Sequence, residues 1–499
     1  MPRTDAELLA LADQVLQPGF QEQAAPDWIR RRLGEGLSSV LLFSRNITSA
    51  EQTAALTASL RAENPDVLVA VDEEGGDITR LESATGSSYP GNLALGAVDD
   101  VELTAGVARS IGGELRAVGI DLDYAPDADV NSNPDNPVIG VRAFGSDTAL
   151  VARHTAAWVR GLHEAGVAAC AKHFPGHGDT DTDSHLALPT VAMSADAIAD
   201  LALPPFRAAL AAGARAVMTG HLLLPAYDAE HPATVSPHIL SRLLREDLGF
   251  DGLIVSDAVE MQAVRARYGL AGATVRALAA GVDLVCLGDG SGEADFARLR
   301  TAVVTAVTSG ALPAERLAQA AARVAAFTTW QRGLAAKAHT PVPDRALGLT
   351  AARRAVRVTT QDPKALPLRS PALLVEFGVP GTQVHSGGTP WGLGPALSTL
   401  VPGTTRITMP PLAPFDAAHA DRILTEAAGR PLVLAVRDAH RRLGVQEWLH
   451  ALLSRRSDAI TVELGVPGGP GGAVRLDTHG AARVCGQAAA EVLAGRSMP

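Results

Sequence analysis

Over its first two-thirds the chain alternates short apolar runs with longer, Ala-rich helical stretches. The runs cover residues 40–43, 67–72, 120–126, 169–174, 216–221, 253–257 and 284–287, are rich in Val, Ile, Leu and Ala, and end in polar residues. Continuous rather than alternating apolarity predicts strands buried on both faces, as in a parallel sheet covered by helices. Seven such units before residue 330 point to an α/β fold of the (β/α)8 TIM-barrel type rather than a doubly wound sheet. The pattern offers no eighth strand. A Pro-containing connector at 340–344 and a short helix at 350–358 break the rhythm. New strand candidates follow at 372–377, 405–408, 432–436 and 459–464, with helices at 417–428 and 481–493. The expected organisation is therefore a barrel over 1–333, a linker with a short helix over 334–362, and a smaller α/β domain of open-sheet sandwich type over 363–499.

Composition narrows the function classes. The 499 residues carry 43 Lys+Arg against 54 Asp+Glu, a net charge of −11. That balance argues against a nucleic-acid partner, which requires a basic face. Apolar residues make up 47% and charged residues 19%, enough to bury sizeable cores. The three cysteines, Cys170, Cys286 and Cys485, are far apart, so neither a zinc site nor a redox dithiol is legible. The first residues are acidic and then amphipathic, and no run of about 18 apolar residues occurs. The expectation is a soluble, cytoplasmic protein with no membrane partner. Nothing in the chain specifies an oligomeric state.

The polar residues that end the runs change the picture most. They are Asp72, Glu73 and Glu74, then Asp123, Lys172 and His173, His221, and Asp257. In a parallel barrel the C-terminal strand ends carry function. Each residue alone is explained by a helix cap or a solvated loop; their recurrence over five strands favours a site.

Two segments are richer. In Lys172-His173-Phe174-Pro175-Gly176-His177-Gly178-Asp179-Thr180, continuing to Asp183-Ser184-His185, a strand hands over to a Gly- and Pro-punctuated loop carrying further acids and imidazoles. His177, Asp179, Asp183 and His185 have metal-ligand chemistry, but no His pair at i,i+4 is present. Asp183 and His185, two apart, suit a hydrogen-bonded dyad that donates and accepts protons near neutrality. In Ser256-Asp257-Ala258-Val259-Glu260-Met261, Asp257 is placed as a nucleophile or a stabiliser of a cation. A helix cap on Ser256 or Asp257, with Glu260 completing a capping box, explains the same residues equally well.

These segments resemble the bacterial β-N-acetylglucosaminidases of glycoside hydrolase family 3. Residues 71–76 with Arg80 and Leu81, 138–145, and 248–252 add to the likeness, which covers roughly residues 30–330 and extends more loosely to Asp477-Thr478-His479-Gly480-Ala481. The resemblance implies a retaining glycosidase acting on a small carbohydrate, terminal β-linked N-acetylglucosamine, with no cofactor and no metal. By residue it implies Asp257 as nucleophile, His185 as acid/base and Asp183 as its partner. Asp72, Arg80, Arg142, Lys172 and His173 match positions that hold sugar hydroxyls, and Gly176 and Gly178 would let the loop move. Physically, an oxocarbenium-like transition state wants an anion beneath the anomeric carbon and a proton on the leaving oxygen. The chain departs from the family pattern at Glu74, Asp77 and Ala143, which bears on substrate preference rather than on reaction class.

Four readings stand side by side. Hydrolysis of N-acetylglucosaminides from cell-wall or chitin fragments suits a cytoplasmic recycling enzyme. Transfer of the same sugar to phosphate is the second, because a neutral histidine repels an incoming anion less than a carboxylate does. A β-glucosidase is disfavoured by the Asp-x-His loop, and a carbohydrate-binding protein with a dead site by the intact Asp257, Asp183 and His185. The Gly-rich stretch 466–472 lacks the Gly-Lys-Ser/Thr ending of a phosphate loop and reads as a tight surface turn.

Overall fold

A computed structural model describes residues 3–288, 290, 292–339, 341–378 and 389–496. By contacts the chain divides into two units: Met1–Glu73, Thr104–Ile139 and Gly145–Pro343 form the first, and Glu74–Leu103, Gly140–Phe144 and Asp344–Pro499 the second. Among the described residues no helix is long and apolar enough to cross a membrane.

The first unit is α/β and built on parallel strands: β1 (Leu16–Gln17), β2 (Ser39–Leu41), β3 (Leu68–Val71), β4 (Leu122–Asp123), β5 (Ala168–Phe174), β6 (Ala216–Thr219), β7 (Leu253–Ser256) and β8 (Val285–Cys286). A six-stranded sheet runs β2-β3-β4-β5-β6-β7, and β1 pairs with β8. A parallel bridge from Val255 to Leu284 ties β7 to the entry of β8, and the Leu41 amide donates to the Pro18 carbonyl just past β1 (3.0 Å). All seven apolar runs thus correspond to strands, although the run at 120–126 holds only the two residues of β4. The strand missing from the sequence pattern is β1. It continues directly from the helix Asp5–Val15, and two buried residues are too few to show a period of their own.

Alternate strand residues point to opposite faces. Leu41, Leu68, Ala70, Leu122, Cys170, Met218 and Leu253 form one buried cluster with Val324 and Phe327 of the helix Ala314–Lys337. The expected domain limit at 333 falls inside that helix, which ends at Lys337.

The second unit holds β9 (Arg357–Thr360), β10 (Leu373–Phe377), β11 (Thr405–Met409), β12 (Leu432–Val436), β13 (Ile460–Glu463) and β14 (Val474–Asp477). Their order is β11-β10-β12-β13-β14-β9, with only β9 antiparallel. Leu374, Val433, Ala435, Val462 and Leu476 pack with the helix Arg483–Leu493 on one face. Leu373, Val375, Leu434 and Val436 pack with Trp448 and Leu449 on the other. Two apolar faces explain why these strands read as unbroken apolar runs. The helix expected at 350–358 ends at Ala355, and the chain then enters β9, an edge strand with only one partly buried residue. Residues 74–103 group with this unit because Asp77 is buried in it: its carboxylate accepts from the Ala481 amide (2.8 Å) and pairs with Arg437 (2.7 Å).

After β5, the loop glycines do different work from that expected. Gly176 adopts φ 126°, a conformation that favours glycine. At Gly178 a Cβ would lie 1.8 Å from the Val130 carbonyl oxygen, and the Gly178 carbonyl accepts from the Asn133 amide (3.2 Å). Gly178 is therefore a site of close backbone packing, which anchors the loop rather than freeing it. Replacing Gly178 by Ala is expected to destabilise the first unit by about 2 kcal/mol, read as a lower urea midpoint.

His163, in the last turn of the helix Thr148–Glu164, accepts from the Ala169 amide at Nε2 (3.3 Å) and packs edge-on against Trp330. Burial lowers its pKa from 6.5 to about 4. The folded chain keeps this ring neutral where the unfolded chain binds a proton, so stability falls as pH drops from about 6.5 towards 4. The loss reaches about 3 kcal/mol at the acid end. His163→Gln should show a smaller drop in unfolding midpoint between pH 7 and pH 4.5 than the wild type.

Candidate active site

The C-terminal ends of β3 to β7 bring ionisable side chains together in the first unit. Lys172, near the end of β5, is buried and pairs with Asp72, which follows β3 (2.7 Å). Asp123, ending β4, is fully buried and accepts from the Glu73 amide (2.9 Å). Burial pushes the Asp123 carboxyl well up, and the charges of Glu73 and Asp72 add to the rise; Lys172 opposes it. The ammonium of Lys172 thus faces several acids, of which Asp72 is its hydrogen-bond partner.

His173 is held from the side by Asp129. Its Nδ1 lies 2.8 Å from Asp129 Oδ2, and Asp129 Oδ1 also accepts the His177 amide (2.7 Å). Burial would raise the Asp129 pKa, but the bond to His173 and its charge bring it below the ordinary value. The sequence reading did not single out Asp129. Its signal is the Asp-x-Asp of Asp127 and Asp129 immediately past the β4 run, where the chain continues to pair in parallel with β5 through the Asp127–Lys172 bridge.

The expected dyad forms. His185 Nδ1 lies 2.8 Å from Asp183 Oδ1, which also accepts the His185 amide (2.9 Å). Both side chains stay in reach of solvent, at 19% and 15% exposure. Burial opposes ionisation of Asp183, yet the two bonds from His185 bring its pKa below the ordinary value. With Nδ1 engaged, Nε2 is the nitrogen placed for proton exchange.

The metal reading of this loop is not what its hydrogen bonds show. His177 turns Nδ1 to Thr180 (2.8 Å) and Nε2 to Ser184 (3.1 Å), while Asp179 accepts from Ser132 (2.9 Å). Among the described residues, the cluster with metal-ligand spacing is Asp127, Asp129 and His173.

Asp257 follows β7. Its amide donates to the Thr219 carbonyl (3.2 Å), and its Oδ1 accepts the Ala258 amide (2.7 Å). Burial alone would raise its pKa; the nearby imidazoles of His221, His173 and His185 reverse the shift and bring it below the ordinary value. His221 is fixed at both nitrogens, with Nε2 donating to the Ala258 carbonyl (3.0 Å) and Nδ1 bonded to Thr234 (2.8 Å). The capping alternative fails: the next helix starts at Gln262 with Met261 as its N-cap and no side-chain cap bond. Ser256 instead accepts the Cys286 amide on β8 (3.0 Å). Asp257 is therefore an ionised carboxylate at a strand end with no capping task.

Arg80 and Arg142 belong to the second unit. Both are buried, and Arg142 grips Glu74 with two bonds of 3.0 and 2.8 Å. Glu74 and Asp77, the two acidic departures noted in the sequence, thus each bind an arginine of their own unit. An ionised strand-end carboxylate has the chemistry of a nucleophile or cation stabiliser, and a solvent-reached Asp–His pair that of a proton donor.

Comparison with known proteins gives the family. The glycosyl hydrolase family 3 N-terminal domain matches residues 13–327. A beta-hexosaminidase A of Pseudoalteromonas piscicida is 31% identical over 435 residues, 79% of this chain and 71% of that protein. A beta-hexosaminidase of Pseudomonas aeruginosa is 38% identical over 275 residues, 54% of this chain and 81% of that protein. The solved structure of a family 3 beta-N-acetylglucosaminidase from a Paenibacillus species is 32% identical with a TM-score of 0.89, covering 98% of this chain and 97% of the other. By the extent of these matches, the chain belongs to glycosyl hydrolase family 3.

Proposed function

We propose that this enzyme is a retaining β-N-acetylhexosaminidase that removes terminal, non-reducing β-linked N-acetylglucosamine from peptidoglycan- or chitin-derived fragments. The observation that carries the proposal is an ionised Asp257 facing three imidazoles while the Asp183–His185 pair stays open to solvent. Relatives named for this activity, matched over most of their length, support it. Recycling of cell-wall fragments in the cytoplasm is the setting that fits this substrate class.

In this reading Asp257 attacks the anomeric carbon while His185 protonates the leaving oxygen, giving a glycosyl ester on Asp257. His185 then takes a proton from water, which releases the sugar with net retention. Asp183 orients the ring through its bond to Nδ1. Asp72, Lys172 and His173 hold sugar hydroxyls through charge-assisted bonds, which penalise a ligand that leaves them unpaired. Arg80 and Arg142 are proposed for the same task on the family resemblance alone.

The architecture enters the proposal in two ways. The β2–β7 sheet and the β1–β8 pair are read as arcs of one (β/α)8 barrel, whose C-terminal strand ends carry the chemistry. A barrel domain over 1–333, a linker and an α/β sandwich from 363 are kept as the covalent plan, with residues 74–103 and 140–144 as barrel loops that fold with the later unit.

Asp257→Ala should abolish turnover of an aryl N-acetylglucosaminide, by roughly 10⁴-fold or more; unchanged turnover would sink the nucleophile assignment. Asp129→Asn, which loosens His173, should lower kcat/KM by roughly 10- to 100-fold. Incubation with chitobiose, with and without phosphate, separates the acceptors: free sugar is expected in both, and sugar 1-phosphate as main product would overturn hydrolysis.

A further inference from the structure

Glu260 lies three residues past Asp257 and has no part in the mechanism above. Neither does it cap the helix, which starts at Gln262. Its side chain is only partly buried, but Oε2 is sealed from solvent without a hydrogen-bond partner. Oε1 occupies the space above Gly288 just past β8, where a Cβ would meet it at 1.9 Å. The lack of a side chain at Gly288 is what admits the carboxyl to the floor between the ends of β7 and β8. A carboxylate with a sealed, unpartnered oxygen next to a second carboxylate is costly to ionise.

We propose that Glu260 is a positioning residue for Asp257: it holds a proton while Asp257 is an anion and releases it when Asp257 becomes a glycosyl ester. The floor of the site then keeps one negative charge through both halves of the reaction. The inference rests on Asp257 being the nucleophile.

The charges around Glu260 support this exchange. Burial raises its pKa to about 7, the charge of Asp257 adds to the rise, and the Gly288 amide and the guanidinium of Arg265 on the following helix oppose it. On β8, the buried Cys286 thiol faces the same two carboxylates, and burial keeps it protonated. Esterification of Asp257 removes an anion that raises the Glu260 pKa, so the proton becomes easier to lose. In the first step an Asp257 oxygen bonds to the anomeric carbon, the glycosidic bond breaks, and His185 protonates the leaving oxygen. Glu260 gives its proton to bulk water. In the second step water attacks, His185 takes its proton, Asp257 departs as the carboxylate, and Glu260 recovers a proton from solvent. An anion on Glu260 during this second step stabilises the returning oxocarbenium character, a role Asp257 cannot fill while esterified.

Proton counting tests the idea. Wild type and Glu260→Gln are each trapped by a 5-fluoro N-acetylglucosaminyl fluoride in weakly buffered solution at pH 7, with an indicator dye reporting protons and mass spectrometry counting adducts on Asp257. The wild type should release up to about half a proton more per adduct than Glu260→Gln. Equal release overturns the inference. If neither protein forms an adduct, the covalent nucleophile itself fails and the inference falls with it. Should Glu260→Gln alone fail to fold, the wild type decides: with ¹³C-labelled glutamate, the protonated-carboxyl infrared band seen at pH 6.5 should weaken on trapping, and its persistence unchanged would be decisive against the proposal.

Discussion

An ionised carboxylate at the end of β7 is the constraint around which the first unit is arranged. Asp257 loses water by its position, and that loss alone would raise its pKa. The compensation comes from the nearby imidazoles and the Ala258 amide rather than from a lysine or arginine bonded to it. That choice matters physically. A bonded guanidinium would occupy the carboxylate's lone pairs and blunt it as a nucleophile, whereas imidazoles at longer range stabilise the charge and leave an oxygen open. The lysine that is present, Lys172, is committed to Asp72 instead.

Each imidazole in turn has to be aimed, and each is aimed by a different element. Asp129, from the loop after β4, fixes His173 on β5. Thr234 and the Ala258 carbonyl fix His221 past β6. Asp183 fixes His185 within its own loop. Because the strands run parallel, their C-terminal ends lie at one edge, and a short excursion past each suffices to deliver its side chain. The close packing of Gly178 on Val130 ties the loop after β5 to the loop after β4. The same contact that holds the backbone also holds Asp129 near His173.

The fold was legible where burial on both faces left unbroken apolar runs, and it failed where elements were too short or too polar to leave one. The strands β2 to β8, β10, β12 and β13 are visible for that reason, whereas the mostly exposed edge strand β11 shows only through its β-branched residues. The strand β1 was hidden in the tail of a helix, and β14 and β9, at and next to a sheet edge, carry Arg and Thr residues that read as loop. The assembly of distant segments was out of reach. Nothing local in Glu74–Leu103 says that it groups with Asp344–Pro499, because that grouping depends on partners such as Arg437 and Ala481 that meet Asp77 only in the folded chain. At the site, residues ending strands were legible and residues that aim them were not. Beyond its Asp-x-Asp spacing, Asp129 has no local signal that sets it apart from other loop acids; its role lies in its bonds to His173 and His177. Glu260 was read as a capping partner because Ser256-Asp257 and Glu260 have the spacing of a cap, and only the helix start at Gln262 rules it out.

The division of labour between strand and loop follows from what each group must do. In the proposed mechanism the nucleophile forms a bond and needs its oxygen held to within a fraction of an ångström. Asp257 meets that need from β7, which pairs with β6 along its length and is tied to β8 through Ser256 and Leu284. A proton donor and acceptor has the opposite need, since it must serve a leaving group in one step and a water in the next. Asp183 and His185 sit in a segment of turns, held to each other and to the amides of Leu186 and Ala187 through the Asp183 carbonyl. The pair therefore keeps its internal geometry however the segment shifts, because its bonds are local. Anchoring at Gly178 before it and at Val191, whose amide donates to the Leu223 carbonyl, after it confines any such shift to the residues between. A carboxylic acid fixed on a neighbouring strand would hold one distance well and the other badly. An Asp–His pair carried on a tethered loop can serve both steps of the proposed mechanism without disturbing the strand that carries Asp257.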